Sequence, residues 1–209
     1  MANDRNAWQG GGENPYATRQ AAFDRLEPMS GSMRMRLLAI AALILAAAMA
    51  RLLPHPWNFT PVGAMALFAG AQIRDWRLAL ALPLAAMALA DVFIGPDGWL
   101  VTSLVYACFA ATVAMGMLIR LRVSVLSVAT LSILSAVMFY LVTNFAAWAA
   151  YPFYPKTLAG LWTCYTAAIP FFGGTLAGNL CYGLVLFGGF ALLEMSVPSL
   201  RLQRVRSDR

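Results

Sequence analysis

Long apolar runs separated by short polar segments make up most of the chain between residues 37 and 193. Several of these runs reach the roughly 20 residues that a helix needs to cross the hydrocarbon core of a bilayer. No run alternates apolar and polar positions as a strand of a membrane barrel does. The pattern therefore predicts an all-α membrane protein with six transmembrane helices, at residues 37–53, 62–73, 78–94, 99–119, 123–149 and 170–193.

Two apolar stretches are too short to be ordinary spans. The run at residues 62–73 reaches spanning length only if the bilayer thins or if the loop before it dips inward. Residues 157–169 predict a further short helix, interfacial or re-entrant, ahead of the last span. Pro83 lies within the third run, where the missing backbone donor predicts a kink.

The composition supports a membrane protein, because the chain is 61% hydrophobic and 11% charged, whereas soluble domains carry about 25% charged residues. We expect one transmembrane domain at residues 33–196. Residues 1–32 contain three consecutive glycines and few large aliphatic side chains, which predicts a disordered cytoplasmic tail. Residues 197–209 predict a basic cytoplasmic tail. The alanine-rich end of the first span also resembles a signal-peptide cleavage site, but the length of chain before it favours a retained span.

The distribution of lysine and arginine predicts the orientation in the membrane. Arg51 and Lys156 are the two basic residues of the membrane domain expected on one side, against ten arginines on the other. Because basic residues favour the cytoplasmic side, both termini are predicted to be cytoplasmic. The arginines lie at the ends of apolar runs and not along one face, which argues against a nucleic-acid partner. The ten are Arg34, Arg36, Arg74, Arg77, Arg120, Arg122, Arg201, Arg204, Arg206 and Arg209.

The segment at residues 54–61 reads Pro-His-Pro-Trp-Asn-Phe-Thr-Pro and joins the first two spans. Proline fixes its own backbone angle and lacks a donor, so this segment cannot continue a helix and predicts a structured loop. A loop that carries His55, Trp57 and Asn58 at a membrane surface is typical of ligand recognition. A stiff turn without a binding role is the alternative.

With this topology, most of the aromatic and polar side chains gather on the outer side of the membrane. Tryptophan and tyrosine at a membrane surface often form an aromatic belt. A ligand pocket between the outer loops also explains why they concentrate on one side. The candidate ligand-binding residues are His55, Trp57, Asn58, Thr60, Asp91, Asn144, Tyr151, Tyr154, Lys156 and Trp162.

Two of these candidates have a structural alternative. Asp91 lies near the C-terminal end of a span, where a carboxylate opposes the helix dipole and requires a partner or water. It either pairs with Arg51 or Lys156 or faces a ligand. Asn144, within the fifth span, either binds a neighbouring helix or lines a pocket.

No pattern in the sequence predicts catalysis, a metal site or a cofactor. His55 is the only histidine, and there are no paired carboxylates at helical spacing and no hydrolase or ATP-binding motif. Cys108, Cys164 and Cys181 are odd in number and lie in apolar surroundings, which predicts neither a disulfide nor a zinc site. We therefore expect a protein that is not an enzyme and that depends on a partner for any ATP-driven work.

A row of small side chains follows one face of the first span. Ala42, Ala46 and Ala50 are spaced four residues apart, and small residues at this spacing let another helix approach closely. They are the candidate partner-binding residues.

Four segments resemble an uncharacterised family of small bacterial membrane proteins, and the likeness covers residues 37–193. It implies a multi-pass protein of the bacterial cytoplasmic (inner) membrane. The segments are RLLPHPWNFTPVGA from Arg51, LVTNF from Leu141, YPKTLAGL from Tyr154 and AIPFFGGTLAGNL from Ala168.

More distantly, the six-helix layout resembles the substrate-binding S components of energy-coupling-factor (ECF) vitamin transporters. This resemblance implies a pocket between outer loops and helix ends. It also implies a transmembrane coupling subunit with ATPases, which would dock on Ala42, Ala46 and Ala50. Cobalamin-binding relatives can use a cysteine near the pocket as a cobalt ligand, but here no cysteine lies in the loop before the fourth span. This absence argues against cobalamin, unless His55 takes the place of the cysteine.

The leading hypothesis is a membrane subunit that binds a small, vitamin-like molecule with a planar or aromatic part for uptake, without covalent chemistry. The alternative is a structural or accessory subunit of a larger membrane protein complex. In that case the aromatic loops and the alanine row are packing surfaces.

Overall fold

The structure is a computed structural model, and it describes residues 31–54, 56–95 and 98–200. Within these ranges all the secondary structure is helical. The helices are α1 (Gly31–Ala50), α2 (Val62–Gln72), α3 (Trp76–Ile94), α4 (Trp99–Leu118), α5 (Val125–Ala150), α6 (Leu158–Gly183) and α7 (Gly189–Ser196). A π-helical turn, Leu184–Gly188, joins α6 to α7, and a short 3-10 helix, Pro198–Leu200, follows.

Five helical segments of the described chain are long and apolar enough to cross a membrane. They are α1, α3, α4, α5 and the continuous rod made by α6, the π-helical turn and α7. Helix α2 has 11 residues and is about 16 Å long at 1.5 Å per residue, which is too short to cross alone. The protein is thus a bundle of membrane helices with one short helix among them.

Contacts between helix ends show how the chain runs through the bundle. At one end, called here the terminal end, Arg36 of α1 contacts Gln72 of α2 and Glu194 of α7. At the other, the loop end, Arg51 contacts Asp91. The described chain therefore starts and finishes at the same end. The segment from Arg51 to Gln72 covers the distance between the two ends partly as a loop and partly as α2.

Polar side chains cap the starts of α3, α5 and α6, where a loop gives way to an apolar run. The Asp75 carboxylate accepts from the backbone N–H of Arg77 at 2.8 Å at the start of α3. Ser124 accepts from the N–H of Ser127 at 3.1 Å at the start of α5. These side chains satisfy backbone donors that would otherwise lack a partner at a helix start.

Helix α2 lies at the centre of the bundle and is buried along nearly its whole length. Such burial is typical of a helix that is apolar on all sides. Gly70 of α2 meets Gly116 of α4 so closely that a Cβ on either would overlap the backbone of the other helix. Phe68 packs edge-to-face against Phe187 and Phe190, with ring centroids 5.2 and 5.6 Å apart.

The predicted separate short helix at residues 157–169 is wrong. Helix α6 starts at Leu158, where the Thr157 hydroxyl accepts from Gly160 N–H at 3.1 Å, and continues through Pro170 to Gly183. A proline removes one backbone hydrogen bond, whereas ending the helix in hydrocarbon would leave several groups without partners. The short element of the bundle is α2 instead. Pro83 is likewise inside a continuous α3.

The first span also starts earlier than the predicted residue 37. Helix α1 includes Arg34 and Arg36, which the sequence suggested as flanking residues. Arg36 is tolerated inside the bundle because Glu194 and Gln72 bind its guanidinium.

His55 lies outside the described residues, and so do residues 1–30 of the predicted tail at 1–32 and residues 201–209 of the predicted tail at 197–209. The described parts differ from the prediction, because α1 already includes residues 31 and 32 and the 3-10 helix Pro198–Leu200 lies within the second predicted tail.

Candidate ligand-binding site

The loop at residues 54–61 leaves the loop end and runs along α6. A Cβ on Gly174 would overlap the backbone oxygen of Trp57, and a Cβ on Gly178 would press against the backbone of Thr60. Only glycine lets the loop backbone approach the helix this closely. The loop therefore dips inward beside α6 and delivers the chain to the start of α2, which is one of the two ways in which the short run at 62–73 could be accommodated.

Aromatic contacts and a tight turn fix the shape of this loop. The Trp57 ring stacks on Phe171 with centroids 5.6 Å apart, and Phe59 packs on Tyr182 at 5.5 Å. Phe59 N–H donates to the Pro56 carbonyl at 3.0 Å. Asn58 has φ of 59°, a left-handed conformation that asparagine adopts more readily than most residues. Residues 56–61 are thus packed against α6 by aromatic contacts and close backbone approach.

A cavity of about 230 Å³ lies between this loop and the helices. Its lining combines an arginine, amides and hydroxyls with aliphatic and aromatic side chains, inside a bundle that is otherwise strongly apolar. The lining residues are Arg51, Asn58, Thr60, Val62, Gly63, Met87, Val105, Phe109, Thr112, Ser135, Phe139, Thr175 and Asn179.

Asn179 forms the polar floor of the cavity together with residues of α5. Its side chain is only 4% exposed, and its Nδ2 donates to the Ser132 carbonyl at 3.3 Å and to the Ser135 Oγ at 3.1 Å. A Cβ on Gly63 would overlap the Asn179 amide oxygen. Hydrogen bonds on one side and a glycine on the other therefore set the orientation of this amide.

An ion pair lies at the loop end of the cavity. Arg51 Nη1 donates to Asp91 Oδ1 at 2.7 Å, and the Tyr106 hydroxyl donates to Asp91 Oδ2 at 2.9 Å. The predicted pairing of Asp91 with Arg51 is therefore confirmed. Arg51 lines the cavity, whereas Asp91 is not among the lining residues.

The cavity hydroxyls face the ligand space chiefly as acceptors. Thr112 donates its hydroxyl hydrogen to the Cys108 carbonyl at 2.8 Å, and Thr175 donates to Phe171 at 3.3 Å. The Ser135 hydroxyl donates to the Ser132 carbonyl at 3.0 Å. Since the hydroxyl hydrogens of Thr112, Thr175 and Ser135 are used inside a helix, their oxygen lone pairs are what remain for a bound molecule.

Three of the predicted ligand-binding aromatic residues lie away from this cavity. Tyr151, Tyr154 and Trp162 do not line the cavity; Trp162 is 73% exposed and Tyr154 is half-buried. The Tyr151 hydroxyl accepts from Gly98 N–H at 3.2 Å.

Two further candidates make structural contacts. Lys156 donates to the backbone oxygens of Trp148 and Tyr151, and so closes the loop between α5 and α6. Asn144 donates to the Tyr140 carbonyl at 2.8 Å, within its own helix.

Four uncharged polar lining residues were not among the sequence candidates: Thr112, Ser135, Thr175 and Asn179. Each lies inside a long apolar run, and polar residues within membrane spans are commonly functional. A polar residue inside an apolar run is a signal that the sequence shows most clearly for Asn179, an amide in the last span. Of the candidates, Asn58 and Thr60 line the cavity, and Trp57 lies beside them with 78% of its surface exposed.

A second cavity, of about 420 Å³, lies between the start of α5 and the rod formed by the end of α6, the π-helical turn and α7. Its lining is largely aliphatic and includes the exposed side chains of Val125 and Leu184. Such a groove in a membrane bundle offers apolar contacts of the kind that a lipid acyl chain makes. It lacks the converging polar groups of the first cavity, which is therefore the better candidate for specific recognition.

The alanine row lies on the outside of the bundle. Ala42 and Ala46 are exposed and Ala50 is half-buried. The opposite face of α1 carries the buried residues Ile40 and Ile44. Ala42 and Ala46 are thus not covered by the part of the chain that the structure describes.

The described residues contain no group of three or more His, Cys, Asp and Glu side chains that could hold a metal ion. Their three cysteines are not joined by disulfides.

Comparison with protein families finds a match to one model, described as a family of unknown function (DUF6580), over residues 31–200. Comparisons with curated proteins and with solved structures found no match.

Proposed function

We propose a small-molecule-binding function for this chain, which belongs to the DUF6580 family of unknown function. In this proposal the protein is the substrate-binding membrane subunit of an uptake system. It captures a small molecule in the cavity under the loop at residues 54–61 and does no covalent chemistry on it.

The observation that carries the proposal is a polar cavity inside an apolar membrane bundle. Burying polar side chains in hydrocarbon is unfavourable unless they form hydrogen bonds within the protein or bind a ligand. Asn58, Thr60, Thr175 and Asn179 come from two separate parts of the chain and converge on one space. An apolar surface with a few convergent polar groups is the usual composition of a ligand pocket.

Two further features support an uptake subunit. The cavity lies toward the loop end, which the distribution of basic residues predicts to be the outer side. The exposed Ala42 and Ala46 offer a close-packing face for a second membrane protein. Both are properties that the resemblance to S components of ECF transporters implies, and on this proposal a coupling subunit with ATPases supplies the energy.

The alternative function is an accessory subunit of a larger membrane complex. The exposed alanine row favours it as well, because a docking face is expected in both cases. The two functions differ at the cavity, because an accessory subunit does not need to bind a small molecule there.

Native mass spectrometry of the purified protein, with two neighbouring glycine variants, tests the proposal. Gly174→Ala places a methyl group against the Trp57 carbonyl and displaces the loop, whereas a Cβ on Gly173 meets nothing within 4 Å. We expect the parent protein and Gly173→Ala to retain a small molecule and Gly174→Ala to lose it. A parent protein that carries no small molecule but retains a stoichiometric protein partner would favour the accessory role.

A further inference from the structure

We infer that the ligand of this cavity is an uncharged, single-ring compound with an amide-type group, one that offers both a hydrogen-bond acceptor and a donor. This inference rests on the proposed function, and it follows from the charge balance, the hydrogen-bonding pattern and the size of the cavity.

The charges at the cavity are already balanced within the protein. Among the described residues that line the cavity, Arg51 alone is charged, and its charge is balanced by Asp91 at 2.7 Å. The remaining polar lining groups are amides and hydroxyls. An ionic ligand would bring an unbalanced charge into a region of low dielectric constant, which is strongly unfavourable.

A carboxylate ligand could in principle replace Asp91 as the partner of Arg51. The contacts of Asp91 oppose this exchange, because one oxygen accepts from Arg51 and the other from Tyr106. The Asp91 side chain is only 14% exposed, so its release would leave a poorly hydrated charge. Two carboxylates on one guanidinium would leave a net negative charge at the site.

The hydrogen-bonding pattern has two distinct ends. A guanidinium carries five N–H donors, and Arg51 uses Nη1 for Asp91, so it can bind a further acceptor such as a carbonyl oxygen. Thr112 and Thr175 present oxygen lone pairs, which match a donor on the ligand. An amide group supplies both an acceptor and a donor in one planar unit.

The size and the apolar lining limit the rest of the molecule. The volume of about 230 Å³ corresponds to roughly eight water molecules at liquid density, and it falls below the ~300–1,000 Å³ of drug-sized pockets. Phe109 and Phe139 stack with centroids 5.7 Å apart, and their rings border the cavity with Met87 and Val105. One flat ring with a small substituent therefore fits this space, whereas a large multi-ring compound does not.

Matched amide and acid probes test the inference on the full-length protein in detergent, after any co-purified molecule has been removed. The probes are nicotinamide with nicotinate and benzamide with benzoate, since each pair differs only in the charge-bearing group. We expect the amides to bind at least about tenfold more tightly than the acids in isothermal titration. Tighter binding of the acids would overturn the ligand class and leave the proposed function intact.

Two threonines of α6 provide a test variant and its control. Thr175 and Thr163 both donate to a carbonyl one turn earlier, at 3.3 and 2.9 Å, but only Thr175 lines the cavity. Thr175→Val should weaken nicotinamide binding about fivefold, the usual effect of one lost hydrogen bond, and Thr163→Val should not change it. Equal affinities for the two variants would show that the amide binds elsewhere and would contradict the inference.

If none of the four probes binds, the molecule identified by native mass spectrometry tests the inferred ligand class. A neutral single-ring compound supports the inference, and a charged or larger one overturns it while the proposed function stands. A protein that retains no molecule and binds no probe contradicts both.

Discussion

Two arginines, one near each end of α1, show how differently the two ends of this bundle use the same side chain. Arg36, at the terminal end, is 5% exposed. Its guanidinium contacts Glu194, the Leu200 carbonyl at 2.6 Å and the Gln72 amide oxygen at 2.8 Å. It also lies over the Phe190 ring, 4.8 Å from the centroid. At the loop end, Arg51 binds Asp91 and lines a cavity.

The difference separates a structural arginine from one that is available for recognition. Arg36 joins the start of α1 to the ends of α2 and α7, so it holds three helix ends in register. Arg51 lies just after α1, where the chain turns into the loop, and its side chain faces a space large enough for a small molecule. A buried charge with several protein partners stabilises a structure, whereas one beside an open polar cavity is suited to binding.

The largest effect is expected from Arg36→Met. The change removes the donor that Glu194, the Gln72 amide oxygen and the Leu200 carbonyl share, and a buried acceptor that loses its donor costs about 1–3 kcal/mol. Thermal unfolding in detergent should show a strongly lowered midpoint. Arg34→Met is the control, because Arg34 is an exposed residue on the same turn of α1. Similar midpoints for the two variants would show that the cluster around Arg36 does not stabilise the bundle.

A smaller loss of stability is expected from Asp91→Asn at the loop end. The amide retains one acceptor for Arg51 or Tyr106 but removes the negative charge that balances Arg51. We expect a loss of about 1–3 kcal/mol, which is typical of a hydrogen-bonded, partly buried group. Asp75→Asn serves as the control, since asparagine caps a helix about as well as aspartate. An unfolding midpoint equal to that of Asp75→Asn would mean that the negative charge of Asp91 does not stabilise the bundle.

The loop-end pair was predictable because the sequence offers few partners. Once the spans and their orientation are assigned, Arg51 and Lys156 are the only basic residues of the membrane domain expected on that side. The long spans were predictable for a similar reason, since the length of an apolar run is set directly by the thickness of the bilayer. Neither prediction required knowledge of how the helices pack.

The cavity floor could not be predicted because it depends on packing. Ser135 and Asn179 meet only because α5 and α6 lie in one particular register, with Gly63 and Gly178 allowing close approach nearby. The interpretation of residues 157–169 was wrong because Pro170 was taken as a boundary, although a membrane helix can continue through a proline. Sequence pattern identified the loop at residues 54–61 but not the side of the bundle that it faces.

Trp57→Ala is expected to affect binding more than stability. The ring stacks on Phe171 and is largely exposed, so its loss removes little buried surface from the folded protein. If the ring contacts the ligand, affinity for the co-purified molecule should fall by at least ~1 kcal/mol, as for an aromatic anchor. Trp76→Ala is a control at the terminal end, where Trp76 is also exposed. Equal affinities for the two variants would assign Trp57 to loop packing alone.

The smallest effect on stability is expected from Ala46→Leu. Ala46 is exposed on α1, and substitutions at exposed positions usually change stability by less than about 0.5 kcal/mol. A leucine at this position would nevertheless prevent another helix from approaching closely, so any membrane partner that docks on the alanine row should be lost. Affinity purification in mild detergent measures this, with Ala88→Leu as a control because Ala88 is an exposed alanine of α3. Recovery of the same partners with both variants would mean that the alanine row faces lipid and would remove one support for a coupling subunit. Loss of a partner with Ala46→Leu alone, at an unchanged unfolding midpoint, would place the docking face on α1, apart from the cavity at the loop end.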